Sequence, residues 1–401
     1  MEARLDTGFD ATINAASRSL RTRAQAVAEI AASHADAVDG EARFPAEAIA
    51  EAKAQRLLGI MVPSALGGED ASIGDVADVC YTLGQACAST AMIYAMHQIK
   101  TACIVRHMRG SATLDRILHR LCDRQLLFAS STTEGQGGGN VRASEAPIER
   151  EGTRISLERR ATVISYGAQA DGIVTTARRH ADAAASDQVL AVFLKSDYTL
   201  EALQGWNTLG MRGTCSEGYT LRATGDSDQI IPDPYEKIHV HTMVPFAHIT
   251  WGSVWAGIAA AATTRAQSFV RHAARHANGQ LPPGAAHFTK ALSSLRLLRG
   301  LLSSSRRSYE LVMSDERAVS SLEFQSMITL TKVEASELAT ATVMSAMRAC
   351  GLAGYRSDGE FSLGRHLRDV LSSPIMINND RILSNAGASS LMTAIPSSLQ
   401  D

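Results

Sequence analysis

Two glycine-containing turns carry residues that are suited to holding a polar ligand. The segment ASSTTEGQGGGN (129–140) places Thr132 and Thr133 before a glycine-rich run. Because glycine has no Cβ, backbone N–H groups in such a turn can point directly at a bound group. The run matches neither GxGxxG nor GxxxxGK[ST], so it predicts no dinucleotide or P-loop site. The second turn, TLGMRGTCSEGYTL (208–221), adds Arg212 and Ser216.

Composition limits the classes of partner that the chain can bind. The 401 residues are 45% hydrophobic and 20% charged, with a net charge of −2. Neither nucleic acid nor an anionic membrane is an expected partner at this charge. No apolar run reaches the roughly 18 residues that span a bilayer, and the N-terminus lacks the apolar region of a signal peptide. Six cysteines without a CxxC pair read as reduced thiols. We therefore expect a cytoplasmic protein without a metal site.

The hydrophobic periodicity predicts helices, then strands, then helices again. Helical patterns cover residues 11–38, the stretch from Pro45 to Gly59, and a run from Ile73 to about Arg124. Short β-type runs separated by turn residues follow to Pro234. Helices are predicted at about 246–277, 287–313, 321–350 and 362–395. Because strands and helices do not alternate, a Rossmann domain is not expected.

This order predicts an α+β fold that is mostly α. We expect an N-terminal helical domain (1–125), a central β-barrel or β-sandwich domain (126–240) and a C-terminal helical bundle (241–401).

Four segments, in this order, resemble the acyl-CoA dehydrogenase superfamily of flavin-dependent oxidoreductases. The segment 129–140 is similar to the family's LTEPxAGSD, and RRATVISYGAQADGIV (159–174) to KxWITNGxxAD. The turn 208–221 is similar to GLGxRGSxTxxxxF. Residues 349–382 are similar to QIxGGxGYxxExPxxRxxRDxRxxxIYEGTxEI, with Arg368 and Asp369 as the RD pair. Together these segments and the helices between them cover nearly the whole chain.

The resemblance implies a flavin and a set of residues around it. FAD is the implied cofactor, and FMN bound in reduced form is the alternative. The implied cofactor-binding residues are Thr132, Thr133, Gly138, Gly139, Val163, Ile164, Ser165, Arg275, Arg348, Gly351 and Asn379. The implied substrate-binding residues are Gly139, Arg212, Ser216 and Ile377.

The chain departs from the family pattern at the catalytic base. The family's Glu, eight residues after the RD aspartate, corresponds to Ile377. An alternative family position, counted back from Gly257, falls on Ala247 beside His248, again without a carboxylate. The flavin-phosphate motif RxxFG survives only as RHANG (275–279). The candidates for a substitute base are His97, His248, Glu134 and Asp380, although each also fits an ordinary structural role.

Three functional hypotheses follow. The first is an oxidoreductase acting on the CH–CH group of an acyl thioester of CoA or of a carrier protein, with an electron-transfer flavoprotein as redox partner. The second is a monooxygenase of the same fold, supplied with reduced flavin by a flavin reductase. The third is a non-redox acyl-binding scaffold. Under each hypothesis the resemblance implies a homodimer or homotetramer formed through the C-terminal bundle.

Overall fold

The computed structural model describes residues 19–134, 141–392, 395 and 397–398. Its first part is helical, as predicted. The helices are α1 (Leu20–Gly40), α2 (Ala46–Ala54), α3 (Ile73–Ala86), α4 (Ala88–His107) and α5 (Ala112–Arg124).

The predicted run to Arg124 is broken between α4 and α5. Arg109 and Gly110 have φ values of 45° and 74°, a left-handed conformation that no α-helix continues through. The Ser111 hydroxyl then accepts a hydrogen bond from the Leu114 N–H and caps the start of α5. α4 itself is buried on nearly all sides, as expected for a helix in the interior of a protein.

Two small sheets form the central domain. The strands are β1 (Phe128–Ser131), β2 (Glu149–Glu151), β3 (Arg154–Ile164), β4 (Gly172–Arg178), β5 (Gln188–Leu194), β6 (Tyr198–Gln204) and β7 (Glu217–Asp226). One sheet has the order β1-β4-β5, with β1 parallel to β4, and the other has the antiparallel order β2-β3-β7-β6. Burial alternates along most of β3, so one face of its sheet packs inward.

The C-terminal part is a helical bundle. Its helical segments are α6 (Tyr235–Ile238), a π-helical turn (His239–Met243), α7 (Val244–His276), α8 (Ala285–Val312), α9 (Glu316–Ser320), α10 (Leu322–Cys350), α11 (Leu352–Tyr355), α12 (Gly364–Val370) and α13 (Asn379–Ser390). The proposed boundary at 240/241 falls inside the continuous helical stretch that begins at Tyr235. The helix predicted at 362–395 is instead two helices, α12 and α13.

Small residues let the N-terminal helices dock closely on the bundle. A Cβ on Gly257 of α7 would lie 2.5 Å from the Tyr81 carbonyl oxygen, and one on Gly84 of α3 would lie 2.5 Å from the Val254 carbonyl oxygen. Both positions therefore require glycine for α3 and α7 to approach this closely. Within the described part of the chain, no helix is long and apolar enough to cross a membrane.

Candidate active site

A cavity of about 800 Å³ lies where the three parts of the chain meet. Its wall is contributed by α4, by the segment leaving β1, by the end of β3, by the turn before β7, by the π-helical turn with the start of α7, and by the segment 368–377. Most lining residues are apolar, with hydroxyl groups on the sheet side. None of the described lining residues carries a carboxyl group.

The sheet side of the cavity brings together several residues that were predicted from the sequence. Thr132, Thr133, Val163, Ser165 and Ser216 all line it, although they come from three separate segments. The Ser165 hydroxyl lies 2.8 Å from that of Ser216. A hydrogen-bonded row of hydroxyls therefore forms one wall.

Two of the predicted residues on this side are placed differently. Ile164 is fully buried in the core and does not line the cavity, because alternate residues of β3 face opposite ways. The segment 135–140, with Gly138 and Gly139, lies outside the described residues.

The turn at 208–216 is fixed to α12 by close backbone contact. A Cβ on Gly210 would lie 2.2 Å from the Arg368 carbonyl oxygen, and the Met211 N–H donates to the Asp369 carboxylate at 2.7 Å. Burial raises the pKa of Asp369 to about 6, and the Met211 hydrogen bond opposes the rise. The turn at 208–216 thus closes the cavity on the side of the C-terminal helical bundle.

Arg212, predicted to bind substrate, does not reach the cavity. Its Nε donates to the Asp39 carbonyl oxygen at 2.7 Å. The residues on either side of the short 3₁₀ turn that contains it, Met211 and Cys215, have φ values of 54° and 43°. These left-handed residues turn the chain so that the guanidinium faces α1.

Ile377 does line the cavity, at the position where the family pattern places its base. Its φ is 56°, a conformation that is costly for a β-branched residue. The side chain there is aliphatic, so no proton can be transferred at this point of the wall.

Two histidines line the cavity, and only His248 was predicted from the sequence. The His248 ring donates from Nδ1 to the Ile328 carbonyl oxygen at 2.9 Å, which leaves Nε2 as the acceptor nitrogen. His239 was not predicted; its Nδ1 is buried without a hydrogen-bond partner among the described residues. Burial lowers the pKa of His248 to about 4 and that of His239 to about 3. Both rings are therefore neutral near pH 7.

The π-helical turn that positions His239 has an identifiable cause. Pro245 follows it, and proline lacks the N–H that would bond to the carbonyl four residues earlier. That carbonyl, of His241, instead accepts a hydrogen bond from the Tyr309 hydroxyl at 2.8 Å. The Val240 carbonyl is satisfied by Gln325 at 3.2 Å. Pro245, directly before the helix predicted at about 246–277, was the sequence signal for this irregularity.

Lys100 is a second lining residue that the sequence analysis missed. It lies on α4 and is only 3% exposed. Its sole hydrogen bond among the described residues goes to the thioether of Met243, at 3.5 Å. Burial lowers the pKa of Lys100 to about 8, so the amine is mostly protonated at pH 7.

The remaining base candidates lie outside the cavity. His97 is fully buried: Nε2 lies 2.8 Å from the Leu58 carbonyl oxygen, and Nδ1 accepts from the Phe128 N–H at 2.9 Å. Glu134 accepts hydrogen bonds from two backbone N–H groups, the nearer at 2.7 Å, and lies 3.6 Å from the buried Arg159. Asp380 is exposed in the first turn of α13. This geometry gives His97 and Glu134 structural roles, whereas Asp380 is exposed and does not line the cavity.

Four predicted cofactor residues also lie away from the cavity wall. Asn379 is buried in the bundle, where its amide contacts Ser336 and accepts from Lys332 at 2.6 Å. Arg275, Arg348 and Gly351 are exposed at the C-terminal ends of α7 and α10. Their expected role toward a flavin across a subunit interface stays a prediction.

The residues around the cavity fit a flavin. The isoalloxazine ring is planar and largely apolar, with polar atoms along its edges. The cavity offers apolar walls, the Thr132–Thr133 segment and the Ser165–Ser216 pair. Two buried ring nitrogens, Nδ1 of His239 and Nε1 of Trp251, have no partner among the described residues, as expected for groups that face a ligand.

Comparison with known proteins agrees with this architecture. Residues 14–124 match the family model of the acyl-CoA dehydrogenase N-terminal domain. The chain is 24% identical over 372 residues to the probable acyl-CoA dehydrogenase FadE25 of Mycobacterium leprae (strain TN). The aligned region covers 90% of each chain.

Two solved structures share the whole fold. FMN-bound TdsC from Paenibacillus sp. A11-2, a dibenzothiophene monooxygenase, superposes with a TM-score of 0.82 at 15% identity, covering 94% of this chain and 98% of that one. Butyryl-CoA dehydrogenase from Megasphaera elsdenii superposes with a TM-score of 0.75 at 16% identity, covering 98% and 100%. Residues 14–124 therefore match the acyl-CoA dehydrogenase family in sequence, and the whole chain has the acyl-CoA dehydrogenase-like fold.

Proposed function

We propose that the protein is a flavin-dependent oxidoreductase of the acyl-CoA dehydrogenase type, with the flavin ring and the substrate together in the cavity. The observation that carries this proposal is the convergence of Thr133, Ser165, Ser216 and Ile377 on one cavity from four separate segments. When bound, a flavin supplies two-electron redox chemistry that no amino-acid side chain provides. The chain's own residues then bind, orient and desolvate the substrate.

The first candidate reaction is oxidation of the CH–CH group of an acyl thioester, which the FadE25 relative supports. This reaction needs a base for the α-proton, and the base works best when its pKa is near the operating pH. His248 is the predicted candidate that lines the cavity, with Nε2 as its acceptor nitrogen, so we assign this step to it; its lowered pKa of about 4 makes it a weak base. FAD is the proposed cofactor, and an electron-transfer flavoprotein the proposed acceptor.

A second candidate is a monooxygenase that uses reduced flavin, and the carboxylate-free lining of the cavity favours it. Oxygen transfer to a substrate requires no α-proton base, so the aliphatic Ile377 is no obstacle. The fold match to the FMN-bound monooxygenase is in line with this reading. Here FMN is the proposed cofactor, and a separate flavin reductase would be the partner. The sequence relative thus supports the first reaction, and the composition of the cavity wall supports the second.

One paired assay separates the two reactions. Purified full-length protein is loaded with FAD or FMN and mixed anaerobically with a panel of acyl-CoAs. Loss of the absorbance of oxidised flavin with any of them establishes the dehydrogenation half-reaction. In parallel, the protein is given FMN, NADH and a flavin reductase in air, and products are examined by mass spectrometry for an added oxygen atom. Activity in neither arm, together with no flavin binding, would overturn the proposed function and leave the acyl-binding scaffold.

Replacement of Ile377 tests whether the cavity is a dehydrogenase site that lacks only its carboxylate. Ile377→Glu places a carboxyl group on the wall in apolar surroundings, which raise its pKa toward neutrality. We expect acyl-CoA-dependent flavin bleaching to increase by about tenfold or more, since a positioned base contributes roughly 10²–10⁴ in rate. Ile377→Gln is the matched control, because it has the same shape without the titrating group. Equal rates for the two variants would show that the bound acyl chain does not reach this wall.

A further inference from the structure

The cavity has one polar end that the proposed function leaves unexplained. Lys100 of α4 and His239 of the π-helical turn both line it. Burial lowers the pKa of His239, and the charges of Arg142 and Lys100 lower it further. Met243, the last residue of the π-helical turn, has its sulfur 3.5 Å from the Lys100 amine. The cation is therefore at a cavity wall and not at the protein surface.

The charge of Lys100 is not balanced by the protein around it. A buried lysine in a folded protein normally has a carboxylate or carbonyl partner, because desolvating an unpaired charge is costly. Here the only hydrogen-bond acceptor among the described residues is a thioether, which is a weak one.

The neighbouring charges add to this excess. Arg159 is also buried and lowers the pKa of Lys100 further. The nearby carboxylate, Glu134, is already held by Arg159 and by the backbone N–H groups of residues 145 and 146. Among the described residues, this end of the cavity therefore carries uncompensated positive charge.

We propose that the Lys100–His239 end of the cavity recognises a carboxylate group of the substrate. The substrate is then an apolar molecule that carries a carboxylate. The Lys100 amine would donate to the carboxylate, and the adjacent His239 ring would contribute a second contact. The apolar wall formed by Met92, Met96 and Ile99 on the same face of α4 would hold the body of the molecule. This inference rests on the proposed function in that it takes the cavity as the substrate site.

Such a site discriminates between ligands of the same shape. A carboxylate gains a desolvated ion pair with Lys100, whereas the matching neutral amide leaves the ammonium unpaired. A simple hydrocarbon chain would bury the cation against apolar atoms and would be disfavoured for the same reason. The recognised ligands therefore carry a negative charge at one end and apolar groups elsewhere.

The test uses two pairs of probes: phenylacetate with phenylacetamide, and hexanoate with hexanamide. Binding to the full-length protein is followed by tryptophan fluorescence, since Trp206 and Trp251 line the cavity; this readout needs no flavin. We expect the wild-type protein to bind at least one carboxylate about tenfold or more tightly than its amide. In Lys100→Met that preference should disappear, because the carboxylate loses its ion pair and the amide no longer leaves an ammonium unpaired.

Lys332→Met is the matched control, because Lys332 is equally buried but lies outside the cavity. It should keep the preference for the carboxylate. Equal affinity of the wild-type protein for both members of each pair, binding of neither, or retention of the preference in Lys100→Met would each overturn the proposal.

Affinity for FMN is measured on the same variants. An equal loss of FMN and carboxylate binding in Lys100→Met would assign Lys100 to the cofactor and overturn its role toward substrate. Failure of the wild-type protein to bind any flavin, with the carboxylate preference intact, would count against the proposed function alone.

Discussion

Removing the charge of Lys100 should stabilise the folded protein. The pKa of this amine falls from 10.5 to about 8 on folding because of burial. A shift of this size corresponds to on the order of 3 kcal/mol at about 1.4 kcal/mol per pKa unit. The folded state thus disfavours the protonated amine that the unfolded chain carries. Methionine has a similar length and no charge, so Lys100→Met should recover much of this energy at pH 7.

The stabilisation should depend on pH in a defined direction. Below pH 8 both states of the wild-type protein bind the proton, and the whole penalty applies. Between about pH 8 and 10.5 the unfolded chain binds more protons than the folded one, so the stability of the wild-type protein rises with pH. The advantage of Lys100→Met should therefore fall from on the order of 3 kcal/mol at pH 7 to about half of that at pH 9.5.

Urea unfolding at the two pH values measures both quantities. Lys332→Met is the comparison: burial also lowers the pKa of Lys332 to about 8, but its amine donates to Asn379 at 2.6 Å and lies 5.7 Å from the centre of the Trp255 ring. Its removal leaves a buried amide oxygen unpaired, which costs about 1–3 kcal/mol, so little or no stabilisation is expected. A Lys100→Met protein that is no more stable than wild type at pH 7 would refute the view that this charge is unbalanced.

Three further outcomes follow from the geometry. Gly210→Ala should lower the free energy of unfolding by about 3 kcal/mol or more and weaken ligand binding, because its methyl group would collide with the backbone of Arg368. Urea titration measures the first effect and fluorescence titration the second. Gly205→Ala, where the space is open, is the control and should change neither quantity. His97→Leu should destabilise by about 2–4 kcal/mol, since two backbone partners are left unpaired, yet leave the pH dependence of the reaction unaltered; a shifted pH–rate profile would contradict its structural role. Thr133→Ala should reduce flavin content per polypeptide without moving the unfolding midpoint, and unchanged flavin content would remove Thr133 from the cofactor site.

The order and type of the elements could be predicted because apolar periodicity reports them directly. The stripe that begins at Ile73 marks α3, and the helix predicted at 321–350 agrees with α10 within one residue. The failures are local. The break after His107 depends on left-handed backbone at Arg109 and Gly110, and an isolated glycine is a weak signal against a strong helical pattern.

Resemblance to family motifs could locate the site residues that lie within continuous sequence segments. Ser165 and Ser216 belong to recognisable segments, and the fold brings their hydroxyls to 2.8 Å. It could not give side-chain direction. Arg212 lies in the best-matching motif, yet it contacts Asp39 on α1, because the left-handed residues beside it decide where the guanidinium points.

The polar end of the cavity could not be predicted, since its two residues are 139 positions apart and belong to no motif. The sequence distinguishes Lys100 only as a charged residue within the otherwise apolar helical segment STAMIYAMHQIKTACIV. His239 depends on a π-helical turn, whose one signal was Pro245. Each signal marks only a local irregularity in the sequence. The packing of α4 against the π-helical turn is what brings Lys100 and His239 into one site.

The protonation states around the cavity separate the two candidate reactions. At pH 7 His239 and His248 are neutral with pKa values of about 3 and 4, so each is a weak base, while Lys100 has a pKa of about 8 and is mostly in the protonated form that accepts no proton. A thioester α-proton therefore meets no strong base among the described lining residues, whereas a substrate carboxylate meets a cation. If Ile377→Glu gains acyl-CoA-dependent bleaching, the wall lacked only a base. If it gains none and the carboxylate preference depends on Lys100, the cavity holds an acidic substrate for a reaction that begins without α-proton abstraction.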